Sequence, residues 1–308
     1  MQTSEALKRR IQSAQDLLGV VKTMKALAAV SIRQYQKAVE SLGDYNRTVE
    51  MGLQIALRER RGGGAAAEKA KVTRVGAIVF GSDQGLCGQL NNIIVAHANE
   101  EMDRIGIDKK NRIVIAVGLR AADILEDTGM KVLEVLTTPG STSGITPMVQ
   151  DITVLLENWR FKRQIEHMYL FFNHYVSGAT YRPMTVRLLP VDRQWLKNLE
   201  MKKWPSKTLP MFTMDWEALF RSLIREYLFV SLYRAFAESL ASENASRLAA
   251  MQSAEKNIEE RLEELFLQYH RQRQMTITEE LLDIVAGFEA LGGTEEAAPV
   301  SKQATRRA

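Results

Sequence analysis

The residues best placed to do chemistry stand in Gly81-Ser82-Asp83-Gln84-Gly85-Leu86-Cys87-Gly88-Gln89-Leu90, a glycine-rich turn between an apolar run and a helix-like stretch. Turns of this kind hold phosphates in dinucleotide and P-loop folds, because a helix N-terminus presents unpaired N–H groups. The spacing fits neither signature: GxGxxG is absent, and no Lys follows the glycines as GxxxxGK[ST] requires. A tight turn that packs a helix on a sheet is the reading these residues support. Cys87 stands near a helix start, where a nucleophile could stand, but no His lies near it in sequence to act as base. A small buried core residue is expected there instead. His97, His167, His174 and His270 are scattered without metal-ligand spacing, and the acids form no recognisable acid/base pair. No catalytic residue, metal or cofactor is expected.

The bulk numbers exclude further classes. A formal charge of +4 over 308 residues, without a dense Lys/Arg cluster, does not make a nucleic-acid surface. No run of about 18 apolar residues is present, so direct membrane insertion is not expected. The N-terminus has no signal-peptide core and carries Glu5 almost at once, which argues against secretion or a transit peptide. A single Cys points to a reducing compartment.

The elements that must position the turn are two long helices and the segment between them. From Ser4 to Leu57 there is no Pro, and Leu7, Ile11, Ala14, Leu18, Val21, Lys25, Ala28, Ile32, Tyr35, Val39 and Leu42 alternate steps of four and three. That 3.5-residue period is a left-handed coiled-coil seam. The stretch from Asp215, a good N-cap, to Phe288 reads as a second helix of roughly 110 Å. Its seam is Leu248, Met251, Ile258, Leu262, Leu265 and Tyr269, with a skipped position at Glu255 and a small polar interruption at residues 241–246. Such helices bury their stripes most simply by pairing antiparallel.

Between them lies a different texture. Val75–Phe80, Ile113–Val117 and Val132–Leu136 are apolar runs of strand length, and residues 90–105, 119–128 and 148–163 read as helices. This alternation predicts an α/β domain with a mostly parallel, Rossmann-like buried sheet. His167–Asn173 adds a strand, and Thr185–Pro190 closes the sheet as an antiparallel edge. The expected division is therefore an N-terminal shaft helix at 1–61, a Gly/Ala hinge at 62–71 and the α/β domain at 72–190. A loop-like linker at 191–214, a C-terminal shaft helix at 215–290 and a disordered tail at 291–308 complete it.

Two polar anomalies interrupt the helices. Lys25 occupies a seam position among apolar neighbours, where it either sets register or reaches a carboxylate on another body. Beyond Tyr269 the seam dissolves into a polar collar of Arg271, Arg273, Gln274, Thr276 and Thr278, before Leu281-Leu282-Asp283-Ile284-Val285 turns apolar again.

Ser82-Asp83-Gln84-Gly85-Leu86-Cys87-Gly88-Gln89-Leu90-Asn91 resembles the SDRGLCGGLN signature of the gamma subunit of F-type (F1Fo) ATP synthases. Lys22 to Ala29 resembles that family's KAMKMVAA, Leu240 to Met251 its LASEHAARMAAM, and Tyr269 to Val285 its YNxARQAxITQELxEIV. The likeness is collinear over nearly the whole chain. Gln84, Gln89 and Met275-Thr276 depart from the pattern, as a divergent branch would. The resemblance implies a non-catalytic subunit, the central rotary shaft that couples ion translocation to ATP synthesis or hydrolysis on the beta subunits. It implies alpha and beta subunits in a hexamer around the shaft, an epsilon subunit, and a c-ring under its foot, at the cytoplasmic face of the bacterial inner membrane. Carried over by motif, Met24, Lys25, Arg247, Gln274 and Thr278 are the shaft–hexamer contacts, and Ser82, Asp83, Gly85, Leu86, Cys87 and Gly88 form the signature turn. The alternatives are a nucleotide-dependent enzyme built on the α/β segment and a coiled-coil scaffold unrelated to rotary ATPases.

Overall fold

A computed structural model describes residues 4–59, 74–163, 165 and 167–292. The expected hinge and tail therefore lie outside the described residues, the last two positions of α6 aside. In chain order the elements are α1 (Ser4–Arg58), β1 (Val75–Phe80), α2 (Leu90–Arg104), β2 (Arg112–Val117), α3 (Leu119–Asp127) and β3 (Val132–Leu136). They continue with α4 (Ile145–Arg163), β4 (His167–Ser177), β5 (Thr180–Leu189), α5 (Arg193–Met201) and α6 (Trp216–Gly292). The chain divides into two compact units, residues 23–252 and residues 1–22 with 253–308.

In the larger unit, the five strands run in the order β3-β2-β1-β4-β5. All neighbours are parallel except β4 and β5, which pair antiparallel, Leu170 opposite Val186. β1 and β2 are buried along their whole length, because helices cover both faces. The two-residue side-chain period divides the sheet cleanly. Ala77, Val79, Val114, Ala116 and Phe171 face α2 and α3. Ile78, Phe80, Ile115, Leu170 and Phe172 face α4 and the Leu232–Ala241 stretch of α6. Phe236 seals that second layer, its ring edge-on to Phe80 at 4.9 Å between centroids.

Three expectations change. The stretch at residues 241–246 does not interrupt α6, which runs through it without a break. Its side chains are small because they are pressed against the sheet: Ser242 Oγ donates to Asn173 O at 2.8 Å, and Ser246 Oγ donates to Cys87 O at 2.5 Å. The linker is not all loop, since Asp192 accepts from Gln194 N at 2.9 Å and caps α5. Leu199 and Trp195 then dock α5 against Val49, Leu53 and Tyr227. Finally, α4 starts at Ile145, because Pro147 falls in its first turn, where no N–H is needed for the helix ladder.

In the smaller unit the two helices pair antiparallel. Leu7 and Ile11 are buried with Leu262 and Leu265, flanked by Ala14, Leu18, Ile258 and Tyr269. At the skipped seam position, Lys22 Nζ lies 3.9 Å from Glu255 and 3.1 Å from Glu259. Lys22 and Glu259 are half exposed, and pairs of that kind contribute about 0.2–1 kcal/mol, so the apolar seam holds this pairing.

Candidate functional site

The signature turn is built to hold the chain together. Ser82 is fully buried: its N–H donates to Asn91 Oδ1 at 2.9 Å, and Asn91 Nδ2 returns a bond to Ser82 Oγ at 2.8 Å. Asp83 reaches the start of α3, where its carboxylate accepts from Leu119 N at 3.0 Å. The other carboxylate oxygen accepts from Thr138 N at 2.7 Å and Thr138 Oγ1 at 2.8 Å. Asp83 thus sets the protein's own carboxylate at the N-terminus of α3, where the helix dipole favours an anion. Gly88 has φ +57°, and a Cβ there would come within 3.3 Å of Ser246 Oγ. Leu86 shares the left-handed backbone and points outward, while Cys87 is buried.

A polar cavity of about 270 Å³ opens beside the turn, lined by Tyr35, Asp83, Gln84, Thr138, Glu243 and Arg247 among others. Arg247 is not free on the surface. Its guanidinium is mostly buried and donates to Glu243 Oε1 at 2.6 Å, one helical turn away on α6. Burial pushes the Glu243 carboxyl above its usual value of 4.5, Arg247 opposes that rise, and Asp83 adds to it. Glu243 Oε2 and Arg247 Nε have no hydrogen-bond partner among the described residues. A second buried acid, Glu238, is clamped between His174 Nδ1 at 2.5 Å and Arg234 Nε at 2.6 Å, in the wall of a cavity of about 530 Å³. Neither cluster was singled out in the sequence. The signal that could have found them is the i,i+4 spacing of Arg234 with Glu238 and of Glu243 with Arg247.

Met24 and Lys25 are half-buried on α1. Gln274 and Thr278 lie exposed one turn apart on α6, with Arg271 on the same stripe. Thr278 Oγ1 donates to Gln274 O at 2.9 Å, so its own lone pairs face outward as acceptors. Beyond Thr276 every described side chain of α6 is exposed. Leu281, Leu282, Ile284, Val285 and Phe288 fall in this stretch, Phe288 at 76 %.

These features define a class: a three-layer α/β domain inserted between two long helices that pair antiparallel with each other. The family model described as ATP synthase matches residues 3–291. A curated ATP synthase gamma chain from Buchnera aphidicola subsp. Diuraphis noxia is 27% identical over 297 residues, covering 94% of this chain and 99% of that one. The chain belongs to the ATP synthase family, in its gamma-chain branch. Solved structures share the fold. The Euglena gracilis mitochondrial ATP synthase rotor, in rotational state 1, aligns with TM-score 0.63 and 14% identity over 89% of this chain and 98% of that one. The OSCP/F1/c-ring structure of the same synthase, in rotational state 3, gives 0.64 and 16% over 98% and 99%. The central stalk/c-ring of the Tetrahymena thermophila mitochondrial ATP synthase gives 0.54 and 19% over 76% and 99%.

Proposed function

We propose that this chain is the central rotary shaft of its ATP synthase, a peripheral, non-catalytic subunit at the cytoplasmic face of the bacterial inner membrane. A hexamer of alternating alpha and beta subunits surrounds the shaft, and its foot meets the epsilon subunit and the c-ring. The observation that carries this reading is the bare end of α6. A helix end that leaves every apolar side chain exposed for a dozen residues is unfavourable in water and calls for a socket that covers them. Relatives named as a rotor and as a central stalk with its c-ring support the same reading.

The shaft does its work through differential contacts. A partner shifts a conformational equilibrium only by the difference in its affinity for the two states. Rotation of an asymmetric shaft presents Met24, Lys25, Gln274 and Thr278 to each beta subunit in turn. These contacts must be modest, since a permanent strong bond would stall the cycle. Hydrogen bonds of about 1.5–3 kcal/mol to charged partners suit a reversible catch. The same role for Arg247 requires that it leave Glu243, to which it donates within the chain.

The test replaces Gln274 with Leu and Thr278 with Val in the assembled complex. ATPase turnover per complex falls, while subunit stoichiometry stays normal. Full turnover in the double variant would leave the collar as an ordinary solvated helix face.

A further inference from the structure

Glu243 and Arg247 form a buried ion pair that is only half closed. Glu243 Oε1 accepts from Arg247 Nη2 at 2.6 Å, and the two side chains are 7 % and 11 % exposed. Glu243 Oε2 and Arg247 Nε have no hydrogen-bond partner among the described residues, and Arg247 Nη1 has only a long contact, 3.5 Å to Asn244 Oδ1. Both ions border the polar cavity of about 270 Å³ beside the signature turn. Glu238, on the same helix, shows a closed arrangement: one carboxylate oxygen pairs with His174 Nδ1 and the other with Arg234 Nε. Burying two charges is unfavourable unless their remaining lone pairs and protons are satisfied. Stability alone would close both open positions of the Glu243 pair.

The groups that face Glu243 limit what can exchange there. α1 brings Tyr35, the turn brings Asp83 and α6 brings Arg247, while Ser31, Gln84, Thr138 and Asn244 are neutral. Two carboxylates thus face one cation. Asp83 is engaged by Leu119 and Thr138, which leaves Glu243 as the carboxylate bonded to Arg247. Burial raises the Glu243 carboxyl against the pull of Arg247, and Asp83 adds to the rise, so it takes a proton more readily than a carboxyl in water.

We infer that Glu243 is a positioning residue: ionised, it holds Arg247 in the cavity, and protonated, it releases Arg247 to a carboxylate on the surrounding subunits. The guanidinium presents parallel N–H donors that match a planar carboxylate. An ionised Glu243 repels such a partner, so a proton taken from water accompanies the exchange. With that proton on, Arg247 is an unpaired cation in a buried site and is better paired outside it. By linkage, a partner bound to Arg247 also tightens the proton on Glu243. This inference rests on the shaft reading, in which Arg247 is one of the contacts with the hexamer.

ATPase turnover per assembled complex, followed from just above the usual 4.5 upward in pH, tests it. Other titrations of the complex act on parent and variant alike, so the ratio of the two isolates this one. Glu243→Gln has no charge with which to hold Arg247. Its ratio to the parent should be close to one at the acid end and should rise as pH passes the raised carboxyl and the parent slows. Glu243→Asp keeps a titrating carboxylate and so keeps the slowing, which a change in packing alone would not restore. Arg247→Gln should turn over slowly at every pH, and adding Glu243→Gln to it should leave its profile unchanged. Subunit stoichiometry and circular dichroism check assembly and fold. If Glu243→Gln does not assemble, the inference requires Arg247→Gln to lose a slowing that Glu243→Asp keeps, and parallel profiles of those two overturn it. A Glu243→Gln ratio that is constant or falls with pH overturns it outright. So does a parent-like profile in Arg247→Gln, which also removes Arg247 from the hexamer contacts. The shaft reading is judged separately by Gln274→Leu with Thr278→Val, which leave Glu243 and Arg247 in place.

Discussion

Asp83 offers the most direct check on how the signature turn works. Asp83→Ala removes one hydrogen bond from Leu119 N and two from Thr138, both of the latter to one oxygen. Hydrogen bonds to an ionised acceptor contribute about 1.5–3 kcal/mol each, and the lower value suits this half-exposed position. The two Thr138 bonds then account for about 3 kcal/mol. Leu119 N is open to water, so its bond and the charge–dipole attraction at the start of α3 together add only about 0.5–1 kcal/mol. The expected loss is about 3.5–4 kcal/mol, a fall of roughly 7–16 °C in Tm for a unit of this size. Asp83→Asn keeps an oxygen for one side only and should lose about half as much. Urea unfolding of the full-length chain, followed by near-ultraviolet circular dichroism, reads both. Thr138→Ala placed on Asp83→Ala should cost little more, because the shared bonds are already gone. A loss below about 0.5 kcal/mol for Asp83→Ala, the range of an ordinary surface change, would refute the claim that this carboxylate ties α3 and the Thr138 loop to the turn.

Other outcomes follow from the packing and the charges. Phe236→Ala empties a fully buried site against Phe80 and should cost about 3–5 kcal/mol in the same unfolding assay. Glu243 has a raised carboxyl, so the folded chain holds its proton more tightly than the unfolded chain does. Its contribution to stability is complete below the usual 4.5 and is lost as pH rises through the raised folded value. Glu243→Gln keeps an acceptor for Arg247 without titrating, so the stability difference from the parent should vary with pH above about 4.5; parallel profiles would exclude this. Lys25→Ala and Lys25→Arg should each change ATP-driven ion pumping per ATP hydrolysed, the second because a planar fork replaces a point charge. Unchanged pumping in both would confine Lys25 to setting register.

Much of this fold was legible because its helices and strands carry strong periods. The alternating steps from Leu7 to Tyr35 mark residues that are buried or half-buried, and the apolar runs at 75–80 and 113–117 are fully buried strands. The run from Ala241 to Ser246 misled because small polar residues signal a break locally. Here a tertiary need, close approach of α6 to the sheet and to Gly88, selects them. α5 was hidden by Pro205 and Pro210, which mark the loop after it and say nothing about residues 193–201. Asp83 was recognisable as part of a signature, but its partners lie 36 and 55 residues away, a distance no local pattern spans. The pairing of Arg247 with Glu243 was within reach of helix spacing, yet its burial depends on residues such as Tyr35 and Thr138, contributed from elsewhere in the chain.

The central claim is that this chain turns inside a ring of catalytic subunits. A probe fixed to a Lys207→Cys variant, with Cys87 left buried in its turn, reports rotation in complexes anchored through their beta subunits. Addition of ATP should drive rotation in one direction, pausing three times per turn, once for each beta subunit. Steady ATP hydrolysis with the probe stationary would contradict the account.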